Sequence, residues 1–193
     1  MPDIRTIAVI GAGAMGRDIA RLSAVSGYRT VLEDILPASL RHAESEIRGA
    51  LDLAIKKGAI TGAAAEAALA RIEYASSIEQ AARSADLIIE AVPDEMESKL
   101  EIFTLLDKVA RPGTILVSNT AKLSVAELAS VTYRGNKILG MRFTAPVDEM
   151  RQLEIVRAQL TDDETVAACA QVGRHMGREV VVKTESTSAA APR

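Results

Sequence analysis

The sequence is poor in the residues that build disulfides and metal sites. One cysteine, Cys169, occurs among 193 residues; it excludes an internal disulfide, and its alanine-rich helical surroundings predict a small buried thiol. The two histidines, His42 and His175, have no Cys, His or carboxylate at metal-ligand spacing. No metal site is expected, and both are read as solvated surface groups. A basic stripe is lacking too, since 23 Lys and Arg face 26 Asp and Glu for a formal net charge of -3, with both signs scattered along the chain. That balance argues against a nucleic-acid surface. No apolar run approaches the length that spans a bilayer, and Met1-Pro-Asp-Ile-Arg leads straight into a strand pattern with no signal peptide. A cytoplasmic protein with no membrane partner is therefore expected. No internal repeat or heptad run occurs.

What is present is apolar bulk and a well-placed glycine turn. Hydrophobic residues make up 48% of the chain, enough for one good core and one domain of ordinary size. Ile7, Ala8, Val9 and Ile10 form a continuous apolar run, the mark of a strand covered on both faces. Gly-Ala-Gly-Ala-Met-Gly follows at residues 11 to 16. Gly11 permits a tight turn out of the strand, Gly13 presents no Cβ to an approaching pyrophosphate, and Gly16 lets the next helix pack closely on the sheet. Ala14 and Met15 open that helix, whose first N–H groups face the phosphates. Met15, Ile19, Ala20 and Leu22 make its apolar stripe, and Gly27 is its stop. Thr30, Val31 and Leu32 form the next strand, with Glu33 and Asp34 at its carboxyl end, about where an acid meets the adenosine ribose. A carboxylate at Asp34 accepts from the 2′-hydroxyl and repels a 2′-phosphate, so NAD is expected in preference to NADP.

Pro37 and Ser39 open a long helix with Leu40, Ala43, Ile47, Leu51 and Ala54 at helical spacing, ending near Lys56, Lys57 and Gly58. Thr61 starts an alanine-rich helix running to Arg71, and a short strand follows from Ile72 to Ala75. Ser77 and Gln80 form a capping box, and Leu87 to Ile89 read as a central parallel strand ending at Glu90, Ala91 and Val92. A helix from Met96 to Ala110 carries Leu100, Phe103, Leu106 and Val109 on one face and stops at Arg111-Pro112-Gly113. Ile115 to Val117 return to the sheet and leave Ser118, Asn119 and Thr120 at a strand's carboxyl end, where open α/β sheets bind ligands. Ser124 and Glu127 cap a short helix, Ile138 to Met141 form a strand, Thr161 to Glu164 start a helix with a capping box, and Val180 to Val182 form a last strand. This alternation predicts a doubly wound, Rossmann-type, mostly parallel α/β sheet in a single domain over residues 1–183. Residues 184–193, built of Ser, Thr, Ala and Pro with little else, are read as a disordered tail.

Several of these segments together resemble the NAD-binding domain of the 3-hydroxyacyl-CoA dehydrogenases. They are Ile7 to Gly16, Leu32 to Asp34, Leu87 to Val92, the Lys99 helix, Ser118-Asn119-Thr120, Gly140 to Pro146, Gln152 to Val156 and Val180 to Lys183. The resemblance implies that Asp34 holds the ribose and that Ala91, Val92, Asp94, Lys99 and Asn119 line the cofactor site together with the glycine turn. It also implies the family's reaction, hydride transfer between NAD and C3 of an L-3-hydroxyacyl-CoA in fatty-acid metabolism. There a histidine takes the hydroxyl proton and a glutamate orients it. The glutamate is matched by Glu154, but the histidine's place in the His-Phe-Phe-Asn-Pro run is taken by Arg142, in Arg142-Phe143-Thr144-Ala145-Pro146. The family's last serine in Ser-Asn-Thr-Ser is Ala121 here. A guanidinium stays protonated and cannot serve as the base, so the family reaction is expected to be impaired. Lys122, Tyr133 and Glu154 are the substitute bases near the site by sequence, with Lys122, beside Ala121, the best of them. Two alternatives stand beside the dehydrogenase reading: a silent NAD(H)-binding module, or a dehydrogenase of another, anionic hydroxy substrate gripped by Arg142. In the family a helical domain follows Lys183, whereas Thr184-Glu185-Ser186-Thr187 follows here. The resemblance thus implies the first domain without the helical one, with acyl-CoA or another anionic small molecule as ligand and a homo-oligomer or a partner chain completing the assembly.

Overall fold

The computed structural model describes residues 3–185. Eight strands make one sheet: β1 Thr6–Ile10, β2 Arg29–Glu33, β3 Ile72–Ala75, β4 Leu87–Glu90, β5 Ile115–Ser118, β6 Ile138–Phe143, β7 Gln152–Arg157 and β8 Glu179–Thr184. Their order is β3-β2-β1-β4-β5-β6-β7-β8, and every pair is parallel except β6 with β7. The helices are α1 Ala14–Val25, α2 Pro37–Lys56, α3 Gly62–Leu69, α4 Ile78–Ala82, α5 Met96–Val109, α6 Val125–Ser130 and α7 Asp163–His175. No helix among the described residues is long and apolar enough to cross a membrane.

Alternation along the strands explains the layers. Ile7 and Val9 of β1 lie in one core with Ile19 of α1, Ile47 and Leu51 of α2 and Val172 of α7. Their neighbours Ala8 and Ile10 lie in a second core with Phe103 and Leu106 of α5 and Leu128 of α6. Strand β1 therefore feeds two cores, and its continuous apolar run is the consequence. Burying one such Ile or Leu is worth about 1.5–3 kcal/mol. From β1 the chain winds one way to β2 and β3, then returns to the other side of β1 for β4. That reversal opens a crevice at the carboxyl ends of β1 and β4.

Most expected boundaries hold, and several details differ for physical reasons. Ser77 and Ser124 cap their helices by accepting from Gln80 N and Glu127 N, but Thr161 does not cap α7. Asp162 does, accepting from Thr165 N at 2.7 Å, while the Thr161 hydroxyl is buried and donates to the Ile138 carbonyl. The chain also stays ordered past residue 183. Thr184 closes β8, and the Glu185 carboxylate accepts from Val125 N and Ala126 N at the start of α6. Of the expected tail, residues 186–193 lie outside the described residues. Cys169 is buried as expected, and burial pushes its thiol up to about 12. His42 is exposed, and His175 is exposed on one side yet tied through Nδ1 to the Tyr28 hydroxyl at 2.9 Å.

Glu33, at the end of β2, is an acid that follows the apolar pair Val31 and Leu32, and it is 3% exposed. Burial first, then the charges of Asp34 and Glu79, raise its pKa from 4.5 to about 7. The folded chain thus holds this proton more tightly than the unfolded one. Its contribution to stability is full below about pH 4.5 and is lost as the pH rises through about 7, a change of about 3 kcal/mol. Urea unfolding across this range should show Glu33→Gln flattening the decline and standing above the parent chain at pH 8. Parallel curves for the two proteins would show that Glu33 ionises freely in the fold.

Candidate functional site

The crevice begins at the glycine turn. Gly11 has φ +100°, and a Cβ there would meet Val92 Cγ1 at 3.1 Å and the Ala91 carbonyl oxygen at 3.2 Å. A Cβ on Gly16 would sit 1.8 Å from the Gly11 carbonyl oxygen, so the helix can start this close to the strand only with glycine there. Gly13 is different, because a Cβ there would meet no protein atom within 4 Å. The space above it is open, so a ligand can approach the backbone closely at that position. No side chain among the described residues caps α1 and no acid sits in its first turn, so the N–H groups around Ala14, Met15 and Gly16 remain to receive an anion. The Asp34 carboxylate lies beside the turn. Oδ2 accepts from Ala12 N at 3.0 Å and Oδ1 from Leu36 N at 2.9 Å, and each oxygen keeps a lone pair for a further donor. The donors, the open cradle and the acid fit a dinucleotide.

Across the crevice, β4 ends in a buried ion pair. The Lys99 ammonium donates to both Glu90 oxygens, at 2.6 and 2.8 Å, and to the Val92 carbonyl at 3.2 Å. Glu90 accepts in addition from Val92 N and from the Ser118 hydroxyl, each at 2.7 Å. Both side chains of the pair are fully buried. Lys99 therefore does not line the crevice as expected: it lies behind the wall and shapes it. Asp94 reaches over the mouth, where its carboxylate accepts from Ala121 N at 3.1 Å and stands 3.4 Å from the Lys99 ammonium. Burial works to raise its pKa, but the donors at Ala121, Thr120 and Lys99 outweigh it and the net shift is downward.

The third group joins β5, β6 and β7. Arg142 and Glu154 are direct cross-strand partners in the antiparallel β6–β7 pair, with Arg142 Nη1 at 2.8 Å from Glu154 Oε1. Arg142 Nε donates to the Thr120 carbonyl at 2.7 Å. Lys183 of β8 pairs with the other Glu154 oxygen, and this contact first, with Arg142 behind it, holds Glu154 below the usual carboxylate range. Asn119 Oδ1 accepts from Phe143 N at 3.0 Å, which leaves the Asn119 amide N–H groups without a protein partner among the described residues. Arg142, Glu154 and Asn119 are thus brought together. Lys122 is exposed on the adjoining loop, with only its backbone N–H engaged, by the Thr120 hydroxyl. Tyr133 is fully exposed ahead of β6, at the strand's other end, where its N–H meets Asp107 of α5. It is not a candidate base.

Residues 6–186 match the family described as 3-hydroxyacyl-CoA dehydrogenase, NAD binding domain. This chain belongs to that family. It is 34% identical over 182 residues to a 3-hydroxybutyryl-CoA dehydrogenase of Bradyrhizobium diazoefficiens, covering 94% of this chain and 62% of that one. Against the mitochondrial hydroxyacyl-coenzyme A dehydrogenase of Homo sapiens the identity is 31%, covering 92% and 58%. The solved structure of an (S)-3-hydroxybutyryl-CoA dehydrogenase from Ralstonia eutropha superposes with a TM-score of 0.92 at 34% identity, over 95% of this chain and 65% of that one. The chain therefore spans about three fifths of the length of these relatives, the part that is the family's NAD-binding domain, and NAD is its cofactor.

Sequence reasoning missed two parts of this NAD-binding domain, strand β7 and the anchoring of the loop before it. Strand β7 was visible only as a stretch of resemblance, because six residues of QLEIVR carry no flanking turn signal. The loop between β6 and β7 is fixed by Arg21 of α1, which meets Asp148 at 2.8 Å, and by Arg178, which donates to the Val147 carbonyl at 2.6 Å. Both contacts join residues far apart in the chain, and only the low exposure of Arg21 inside a helix marks it.

Removing one member of the buried pair strands the other. Lys99→Met should cost about 3–5 kcal/mol in urea unfolding, and adding Glu90→Gln should recover most of it. A loss in the double variant equal to the sum of the two single losses would show that the two side chains act independently.

Proposed function

We propose that the chain holds NAD across the carboxyl ends of β1, β2, β4 and β5. In this reading Gly11, Gly13, Ala14, Met15 and Gly16 cradle the pyrophosphate, Asp34 accepts from the adenosine ribose, and Ala91, Val92, Asp94 and Asn119 face the nicotinamide half. The observation that carries it is the open space over Gly13 beside an uncapped helix N-terminus. Bound NAD would supply the hydride acceptor.

The family's 3-hydroxyacyl-CoA chemistry needs a base at the position of Arg142, and a guanidinium cannot accept the proton. Glu154 is held ionised between two cations, which orients Arg142 and removes the carboxylate as a base near neutral pH. The family reaction is therefore impaired. One observation favours a second reading. Arg142 is 33% exposed at the crevice, its Nη2 has no protein partner among the described residues, and Lys183 adds a second positive charge. A ligand with a carboxylate or phosphate fits this corner better than a neutral hydroxyacyl chain.

Two measurements test these assignments. Calorimetry should give tighter binding of NAD than of NADP, with Asp34→Asn weakening NAD by about tenfold and narrowing the difference; equal affinities in the parent chain would remove Asp34 from the ribose. Reduction of acetoacetyl-CoA by NADH should run about 10²–10⁴-fold below an assisted reaction. Arg142→His combined with Ala121→Ser should recover part of that rate. Ordinary turnover in the parent chain, unchanged in Arg142→Ala, would overturn the assignment and turn attention to Lys122.

A further inference from the structure

A cavity of about 860 Å³ opens at the other end of the sheet, where β1, β2 and β3 begin. Five-residue β1 separates it from the glycine turn by roughly 13 Å at about 3.3 Å per residue, so it shares no residue with the NAD crevice. Tyr28, Ala168 and Val172 give it an apolar wall. The Tyr28 ring meets the His175 ring edge-on, at 5.2 Å between centroids and 70° between planes. The hydrogen bond between the Tyr28 hydroxyl and His175 Nδ1 fixes both rings.

The charges around the cavity are unequally committed. At the rim, Arg5 is paired with Asp3 at 2.7 Å and Arg29 with Glu73 at 3.0 Å. Arg71 is different. It lies half-buried just ahead of β3, has no carboxylate partner among the described residues, and makes one long contact, 3.4 Å, to the Ala24 carbonyl. Gln171 and His175 also line the cavity, and the Gln171 amide and the second His175 nitrogen have no protein partner among the described residues. At 3.4 Å from the Ala24 carbonyl, the Arg71 guanidinium is only weakly held by the end of α1, and it lines the same cavity as Gln171 and His175.

We infer that this cavity is a second ligand site, for a small organic anion that carries a carboxylate or phosphate on a ring-sized apolar body. Arg71 takes the anion through the forked geometry that suits both oxyanions. Gln171 and His175 complete its hydrogen bonds, and the body lies against Tyr28, Ala168 and Val172. A few convergent polar groups on an apolar wall are the usual make-up of a small-molecule site.

The test is a titration of the isotopically labelled full chain, saturated with NAD, with phenyl phosphate, with benzoate and with inorganic phosphate, followed by NMR. Saturable shifts centred on Tyr28, His175 and the Arg71 backbone are expected with at least one ring-bearing probe, and weaker ones with inorganic phosphate. The ranking of phenyl phosphate against benzoate tells which oxyanion the site prefers. Arg71→Gln should weaken the better probe by about tenfold or more, the scale of a charge-assisted hydrogen bond, and leave NAD affinity unchanged. Gln171→Leu, at an exposed helix position, should weaken it several-fold and serves if Arg71→Gln does not fold. Absence of saturable shifts at Tyr28 and His175 with both ring-bearing probes would overturn the site, as would parent-like affinity in Arg71→Gln, or in Gln171→Leu where that variant stands in.

Discussion

The crevice depends on one buried ion pair. Glu90 ends the central strand β4 as a fully buried carboxylate, and it is tolerable there only because four hydrogen bonds from three groups converge on it: two from Lys99, one from Val92 N and one from the Ser118 hydroxyl. These contacts tie the end of β4 to α5, to its own following loop and to the end of β5. Val92 in turn packs against Gly11, so the glycine turn on one side and the loop of Asn119 on the other are referenced to the same carboxylate. A neutral pair of similar size would cost less to bury, but it would not hold three loop ends with one group.

Arg142 shows how strand register fixes a contact independently of the chemistry that the side chains bring to it. Antiparallel pairing of β6 and β7 sets residue 142 opposite residue 154 whatever the side chains are. The arginine there finds Glu154, and in addition reaches the Thr120 carbonyl, joining two strands to the loop that follows β5. The scaffold function of the position survives. In the proposed reading the ability to move a proton does not, because a guanidinium has no site to accept one and Glu154 is held below the usual carboxylate range.

Local features were legible in the sequence because their causes are local. The glycine turn, the apolar parallel strands, the Pro37 start of α2 and the serine caps each follow from a few neighbouring residues, and the structure has them where the pattern puts them. Features that need a distant partner were not. Lys99 reads as an ordinary lysine in an amphipathic helix, and nothing nearby says that Glu90 will bury it. Glu185 falls in a stretch of Ser and Thr that looks structureless, yet it caps a helix sixty residues earlier. Thr161 and Asp162 are equally good caps by type, and the contact of Thr161 with the Ile138 carbonyl decides between them.

The uncapped start of α1 has a thermodynamic consequence. No side chain among the described residues satisfies its first N–H groups, so solvent must, and a bound phosphate would take solvent's place. Folding and cofactor occupancy are then linked by mass action: at a free cofactor concentration of about 100 times Kd, the native state gains about 2.7 kcal/mol over the unfolded chain. A domain that looks modestly stable when stripped of cofactor would be a substantially more robust one in a cell rich in NAD, with the ligand acting as the helix cap that the sequence does not encode.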